Sequence, residues 1–476
     1  MIYFWVALTY LLILIVVGAI RSRNVKNQAD FMVAGRKLPT YVLVGTLLAT
    51  WIGSGSIFGN AEKTYEIGIV ALILPIAGFL GIIVLYFIAG RVRNFKQFTV
   101  QDILEVRYNK WARVFGTITV VTAYTTIVSY QYRAGGAVIN IINPDIDVST
   151  GVIISAVFVI IYTAMAGMFS VAYTDLVNGV LIVIGIFLAV PFLFVEAGGI
   201  EGMRQVLPDS HFNFRGILSG WEIVGLLLPP FLLMLGDANM YQRFFSAKDA
   251  ATAKKSVIYM LIGVAVVEVM IILTAWMASA LNPGLETPGR VIVFAAFNNL
   301  PVVLGVVIIS TVIAIIVSTA DSYLLVPATS LVRDIYQRFI EPDISPKKIV
   351  LLSRVVVIVL GIIAYLLSTL DDKFLSVALY AYTIYGAGIT PALLASFFWK
   401  RATTQGGVSS ILVGTFVTII WKNFGMGSSV PAFMGLSGVE IDAVIPAIFL
   451  SVFTLIVVSL LTEPPEKEKW LPFMAE

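Results

Sequence analysis

Five consecutive residues, Ser318-Thr319-Ala320-Asp321-Ser322, interrupt the aliphatic run 302–331 of this chain. At about 100° per residue, Thr311, Ile315, Ser318 and Ser322 fall on one helical face, with Thr319 and Asp321 on either side. Adjacent hydroxyls beside a carboxylate are hard oxygen donors, suited to a small cation. A carboxylate at membrane depth costs about 2.5–3.5 kcal/mol on insertion scales, so it persists where a cation, a proton or a partner offsets that cost. The chemistry expected here is cation binding inside a bilayer. The plainer use of Ser318 and Thr319 is donation back to their own helix carbonyls.

The rest of the chain supplies the bilayer context. Of 476 residues 59% are hydrophobic and 12% charged, and the mean hydropathy is +0.95. This is the composition of an all-α polytopic membrane protein. Without cysteine, neither disulfides nor thiol chemistry contribute. The single histidine, His211, falls in a polar loop and is expected to be solvated, so histidine-based metal or triad chemistry is not expected. A net charge of +3 points to no nucleic-acid partner. Neither a GxxxxGK[ST] loop nor an HExxH pair occurs, which argues against an ATP-driven pump or an intramembrane enzyme. The partners expected are a small-molecule solute and membrane lipid, with no obligatory protein partner evident.

About thirteen spans are expected, at roughly 2–20, 41–60, 68–92, 112–142, 150–169, 174–195, 222–246, 255–281, 301–335, 347–370, 374–399, 406–424 and 441–462. The first carries its positive charge after the apolar stretch, at Arg21 and Arg23, the reverse of a signal peptide, and reads as a retained helix. Basic residues crowd the loops of one side, from Arg21, Arg23, Lys26, Arg36 and Lys37 through Arg91, Arg93 and Arg107 to Arg243, Lys248, Arg333, Lys347, Lys400 and Arg401. The opposite loops carry Lys63, Arg204, Arg215, Arg290, Lys373 and Lys422. This asymmetry predicts an N-out, C-in protein of the plasma (inner) membrane. No soluble domain is expected, since the largest outer loop is about 196–221 and the tail is a short Pro-, Glu- and Lys-bearing stub.

Two spans carry interruptions at matching positions. Ile52-Gly53-Ser54-Gly55-Ser56 puts glycines in the middle of the second, and Leu235-Gly236-Asp237-Ala238-Asn239 puts a glycine and a carboxylate in the seventh. Spans five apart would lead two successive five-helix units of opposite orientation, about 41–195 and about 222–399, with 1–40 and 400–476 peripheral to one transporter domain. Paired interruptions of this kind point to an inverted-repeat transporter whose site lies at the breaks. Close helix packing through Gly55-x-x-x-Gly59 is the simpler use of the first pair.

Several motifs, in order along nearly the whole length, resemble the sodium:solute symporter family. They are Ala29-Asp30-Phe31-Met32-Val33-Ala34-Gly35-Arg36-Lys37-Leu38-Pro39, the stretch Tyr162-Thr163-Ala164-Met165-Ala166-Gly167-Met168-Phe169-Ser170 running on to Asp175, the Ser318–Ser322 run, and Pro391-Ala392-Leu393-Leu394-Ala395-Ser396-Phe397-Phe398-Trp399-Lys400-Arg401. Ala166 stands where the family's signature usually has glycine. The resemblance implies a LeuT-type 5+5 inverted-repeat fold and Na⁺-driven uptake by alternating access. It implies a Na⁺ site made by the carbonyls of Ala49, Ile52 and Ile315 with the hydroxyls of Ser318 and Thr319. It also implies that Asp175, with Asp321 and Ser322, forms a second Na⁺ site or a release path. A helix N-cap at Thr174-Asp175 is the structural alternative for Asp175.

The same resemblance puts the solute between the two breaks. Candidates are Trp51, Gly53, Ser56, Arg133, Asp237, Asn239, Tyr241 and Tyr385. Trp51 could stack on the solute, Asp237 could meet an ammonium or hydroxyls, and Arg133 could grip a carboxylate in two-pronged fashion. An arginine and an aspartate across one cavity suit an amino acid; they could also pair with each other. The expected function is Na⁺-coupled symport of a small polar solute, an amino acid or carboxylate being favoured. The alternatives are a sugar or quaternary-amine symporter and a solute sensor on the same fold.

Overall fold

The structure is a computed structural model, described over residues 2–22, 27–165, 167–214, 218–370, 373–433 and 440–474. Arg23, Lys26, Ala166 and Arg215 of the sequence reading lie outside the described residues. The described chain is helical almost throughout, with one isolated parallel bridge, Leu38 to Ala247, the only β-pairing among those residues. Eleven segments are long and apolar enough to cross a membrane among the described residues. The difference from the thirteen expected lies at the start of the chain. Ile2–Val17 and Thr40–Trp51 are shorter apolar helices, and Gly55–Asn94 runs on as one helical stretch through the reversal at Gly68.

In chain order the helices that matter here are α1 (Ile2–Ser22), α2 (Thr40–Trp51), α3 (Ala61–Ile67), α4 (Leu74–Asn94), α5 (Val100–Arg107), α6 (Lys110–Ile142), α7 (Val148–Met165), α8 (Met168–Glu196), α9 (Gly220–Gly236), α10 (Ala238–Ser246), α11 (Ala250–Leu281), α12 (Val302–Ser330), α13 (Pro346–Leu367), α14 (Phe374–Gly388), α15 (Thr390–Phe398), α16 (Thr404–Asn423) and α17 (Val444–Leu461). Helix α12 is the hub, packed against α6 and α8 and touching α2, while α9 lies on α14 and α4. Helices α16 and α17 form a hairpin at the periphery. Apolar side chains such as Trp5, Phe87, Phe187, Ile358 and Phe449 point outward, as lipid-facing residues do.

Both expected breaks are present. Helix α2 ends at Ile52, whose backbone is extended (φ −77°, ψ 97°), and the chain resumes as a π-helical turn, Gly55–Asn60, leading into α3. Helix α9 gives way to α10 at Asp237 (φ −52°, ψ 111°). The expected span 374–399 is present as one stretch, Phe374–Phe398, with a kink at Ile389 between α14 and α15 (φ −100°, ψ −45°). Pro391 lacks the N–H that would continue the helix, and α16 approaches so closely that a Cβ on Gly414 would fall 2.0 Å from the Ala387 carbonyl oxygen. His211 is a correction. It is buried at 6% exposure, its Nε2 3.1 Å from the Glu66 carbonyl oxygen, because the loop folds over the turn between α3 and α4.

Candidate functional site

The first break and α12 meet where the two runs of oxygen atoms can face each other. The Ser318 hydroxyl donates to the carbonyls of Ala49 (3.0 Å) and Ile315 (3.2 Å). The Thr319 hydroxyl lies 3.2 Å from the Ile52 carbonyl oxygen and 3.5 Å from that of Ala49. All five residues are buried. The extended Ile52 frees carbonyls that an intact helix would use, and buried carbonyls need a donor or a cation. The close approach depends on Gly53, since a Cβ there would stand 2.9 Å from Thr319 Cγ2 and 3.1 Å from its hydroxyl. Gln131 of α6 steadies the far side of the break, its side-chain oxygen accepting from the Ser54 N–H at 3.2 Å. Three carbonyls and two hydroxyls converging without a carboxylate make a neutral site that suits a monovalent cation bound reversibly.

Beside it lies a charged cluster, also buried. Asp175 accepts from Thr46 Oγ1 (2.6 Å) and from Arg243 (3.2 Å). Arg243 donates to Ser322 Oγ (2.8 Å), to Thr46 and to the Asn239 carbonyl. Ser322 in turn donates to Asp321 Oδ1 at 3.2 Å. One oxygen of each carboxylate, Asp175 Oδ1 and Asp321 Oδ2, has no hydrogen-bond partner among the described residues. Its place in the sequence groups Arg243 with the loop charges, but the structure buries it completely. Helix α8 begins at Met168, so Asp175 lies two turns inside it and does not cap it. The motifs in this neighbourhood signal Asp175 and Asp321, whereas Arg243, which bonds Asp175 and Ser322, comes from α10 and belongs to neither motif.

The second break is held by hydrogen bonds. Asp237 accepts from the hydroxyls of Tyr124 and Tyr323 (3.1 Å to the latter) and from the Asn239 N–H at 2.9 Å, capping α10. Tyr241 donates to the Leu235 carbonyl (3.1 Å) and Tyr385 to that of Gly236 (2.7 Å). Asp237, Asn239, Tyr241 and Tyr385 are therefore gathered around the second break, and none of them lines the cavities at Arg133 or at Trp51. Arg133 is elsewhere. It donates to the Ser368 carbonyl (2.7 Å) and lines a cavity of about 650 Å³ that also carries Lys373, Lys422, Tyr130 and Tyr380. Arg133 and Asp237 are thus not brought across one cavity.

Trp51 and Ser56 line a second, smaller cavity with Gly55, Asn60, Glu268 and Tyr382. Trp51 packs on Gly78 of α4, where a Cβ would fall 3.1 Å from its ring. Glu268 was missed. Its signal was available, as an isolated acid in the otherwise apolar middle of α11.

The sodium:solute symporter family profile matches residues 31–414. The chain belongs to the sodium:solute symporter family. This symporter is 27% identical to the high-affinity proline transporter PutP of Bacillus subtilis (strain 168), over 95% of its own length and 97% of the relative's. It is 25% identical to a sodium/proline symporter of Salmonella typhimurium, over 96% and 92%. Among solved structures it resembles a Na⁺-coupled sialic acid symporter in a substrate-bound outward-open state, with TM-score 0.82 and 19% identity over 98% of this chain and 99% of that one. It also resembles MhsT in complex with L-phenylalanine, with TM-score 0.54 and 16% identity over 88% and 97%. The fold is that of the LeuT-type transporters, and the protein is a Na⁺-coupled symporter of a small organic solute. Its family and relatives are transporters.

Proposed function

We propose that this symporter imports a small amino acid of the proline type, driven by Na⁺ and working by alternating access. Na⁺ is held by the carbonyls of Ala49, Ile52 and Ile315 and the hydroxyls of Ser318 and Thr319. The observation that carries the reading is the convergence of Ser318 and Thr319 on the carbonyls freed at the first break. The proline transport named for the relatives supports the choice of solute. Of the sequence candidates, Trp51 and Ser56 touch the solute, Gly53 permits the approach of Thr319, and Arg133 lies on the entry side. Asp237, Asn239, Tyr241 and Tyr385 shape the second break. Asp175, Asp321 and Ser322 line the release path, with Arg243 in the position a second Na⁺ would need. Helices 41–195 and 222–399 act as inverted repeats within a thirteen-span, N-out, C-in protein of the plasma membrane.

Uptake into proteoliposomes under an imposed Na⁺ gradient tests this, with H⁺ and Li⁺ gradients as controls. Proline or a related amino acid is expected to accumulate only with Na⁺ outside. Sugars and quaternary amines serve as the comparison solutes; accumulation of one of these instead would replace the solute assignment, and no Na⁺-stimulated uptake of any solute would reject the reading.

A further inference from the structure

Glu268 is 3% exposed in the middle of α11. Its Oε1 accepts from the Ser56 hydroxyl (2.6 Å) and its Oε2 from the Asn60 side-chain amide (3.1 Å). Both donors are neutral. None of the ion pairs among the described residues includes Glu268. A buried carboxylate with hydrogen bonds but no counter-charge is a costly arrangement, and one that a cation relieves. The cavity beside it measures about 50 Å³, room for a head group of a few atoms, and no lysine, arginine or histidine lines it.

A proton, a metal ion or an organic ammonium could supply the missing charge. The walls decide between them. Trp51 and Tyr382 line the cavity, and aromatic rings favour a weakly hydrated organic cation over a hard one. The oxygens suited to Na⁺ lie on the other side of the same break, at Ala49 and Ile52. Each oxygen of Glu268 has accepted one hydrogen bond and can accept another. Two N–H groups on one nitrogen would fit that capacity. The cavity is also next to the outer vestibule. Tyr382, on its wall, shares a hydroxyl–hydroxyl bond of 3.1 Å with Tyr130, which lines the larger cavity bearing Arg133, Lys373 and Lys422. A tyrosine pair thus separates a basic outer chamber from an acidic inner pocket.

We propose that Glu268 is the specificity residue that receives the protonated amine of the solute, with Ser56 and Asn60 orienting its carboxylate and Trp51 and Tyr382 flanking the ammonium. The solute class is therefore primary and secondary amines with N–H groups, not quaternary ammonium compounds and not plain carboxylates. This deepens the proposed function and rests on it.

The test uses the full-length protein in detergent and proteoliposomes with two separate readouts. Binding of ²²Na⁺ without solute reports the cation site alone, and its absence in the native protein would reject the proposed function rather than this inference. Binding and uptake are then compared for proline, for tetrahydrofuran-2-carboxylate, in which oxygen replaces the N–H, and for glycine betaine, a zwitterion whose quaternary ammonium carries its charge without an N–H. The native protein is expected to take only proline. Glu268→Gln is expected to weaken proline binding about 100-fold while leaving ²²Na⁺ binding unchanged, as removal of one partner of a buried charge pair does. Should Glu268→Gln fail to bind ²²Na⁺ because it does not fold, Asn60→Ala serves, with an expected loss of about tenfold in proline affinity. Unchanged proline affinity in both variants, or equal uptake of tetrahydrofuran-2-carboxylate by the native protein, would overturn the assignment. So would proline uptake by Glu268→Gln that has merely lost a dependence on pH, the signature of a proton carrier.

Discussion

Arg243 lies 3.2 Å from the carboxylate of Asp175, both fully buried, and the same guanidinium donates to Ser322 at 2.8 Å. Those are two of the residues from which a second Na⁺ site would be built, so a tethered cation stands where a free one would bind. One Na⁺ is therefore expected per solute, with a Hill coefficient for Na⁺ near one. A coefficient near two that falls to one in Asp175→Asn would contradict this. Breaking a buried pair leaves an uncompensated charge at a cost of about 3–5 kcal/mol. Asp175→Asn is accordingly expected to lower the detergent melting temperature markedly without raising the half-saturating Na⁺ concentration.

The proposed Na⁺ site is tested at Thr319. Its hydroxyl faces the Ile52 carbonyl at 3.2 Å, and its methyl group helps fill the approach to Gly53. Thr319→Ala removes one of five oxygens and should raise the Na⁺ concentration for half-maximal uptake by about tenfold, equivalent to about 1.4 kcal/mol. Thr319→Ser retains the oxygen and should change it little. Sodium-dependent uptake curves for the two variants, measured side by side, separate loss of a ligand from loss of packing.

At Gly53 the issue is space. An added Cβ would stand 2.9 Å from Thr319 Cγ2 and 3.1 Å from both its hydroxyl and the Gln131 amide nitrogen. Gly53→Ala should push α12 away from the break and weaken Na⁺ at least as much as Thr319→Ala does. Combined, the two changes should be less than additive, since both act through the same hydroxyl. A double-mutant cycle on Na⁺ affinity that came out additive would count against this coupling.

The breaks and the Ser318–Thr319 pair were legible in the sequence because glycine, proline and hydroxyls inside apolar runs have few uses there. Gly53 and Asp237 each interrupt a helix, and Ser318 and Thr319 each face the first interruption. What could not be read was which distant groups share a pocket. Glu268 finds its partners Ser56 and Asn60 from more than 200 positions away, a distance that no helical period reports. Arg243 looked like one more inner-loop charge, since positive residues at a span's end ordinarily stay in water. The turn of α10 carries it into the core. The kink at Ile389, two residues before Pro391, leaves the span continuous, so the apolar run 374–399 reads as one helix.

Asp237 was a candidate for the solute, and its surroundings argue for a structural part. Two tyrosine hydroxyls and one backbone N–H already satisfy it. Asp237→Ala would strand the Tyr124 and Tyr323 hydroxyls, at about 1–3 kcal/mol for each buried group. It should lower the melting temperature clearly, with Asp237→Asn in between because its amide oxygen still accepts. Neither change should alter which solute is transported. A stable Asp237→Asn protein with altered solute preference would restore the direct role.

In the loop after α8, His211 gives the fold a dependence on pH. Burial lowers its pKa below the ordinary histidine value. Its Nε2–H can donate to the Glu66 carbonyl, whereas Nδ1 has no partner among the described residues, so a second proton would bury an unsatisfied charge. The folded loop therefore binds fewer protons than the open one. The stability it contributes is complete above the unfolded value of about 6.5 and is lost as pH falls below it toward the lowered native pKa. Hydrogen exchange across 208–212, corrected for the intrinsic pH dependence of the chemistry, should show less protection at about pH 5 than at neutral pH. His211→Gln keeps a donor for the Glu66 carbonyl and cannot titrate, so its protection should be flat across that range. If the native loop were equally flat, the histidine would be a packing residue and no more.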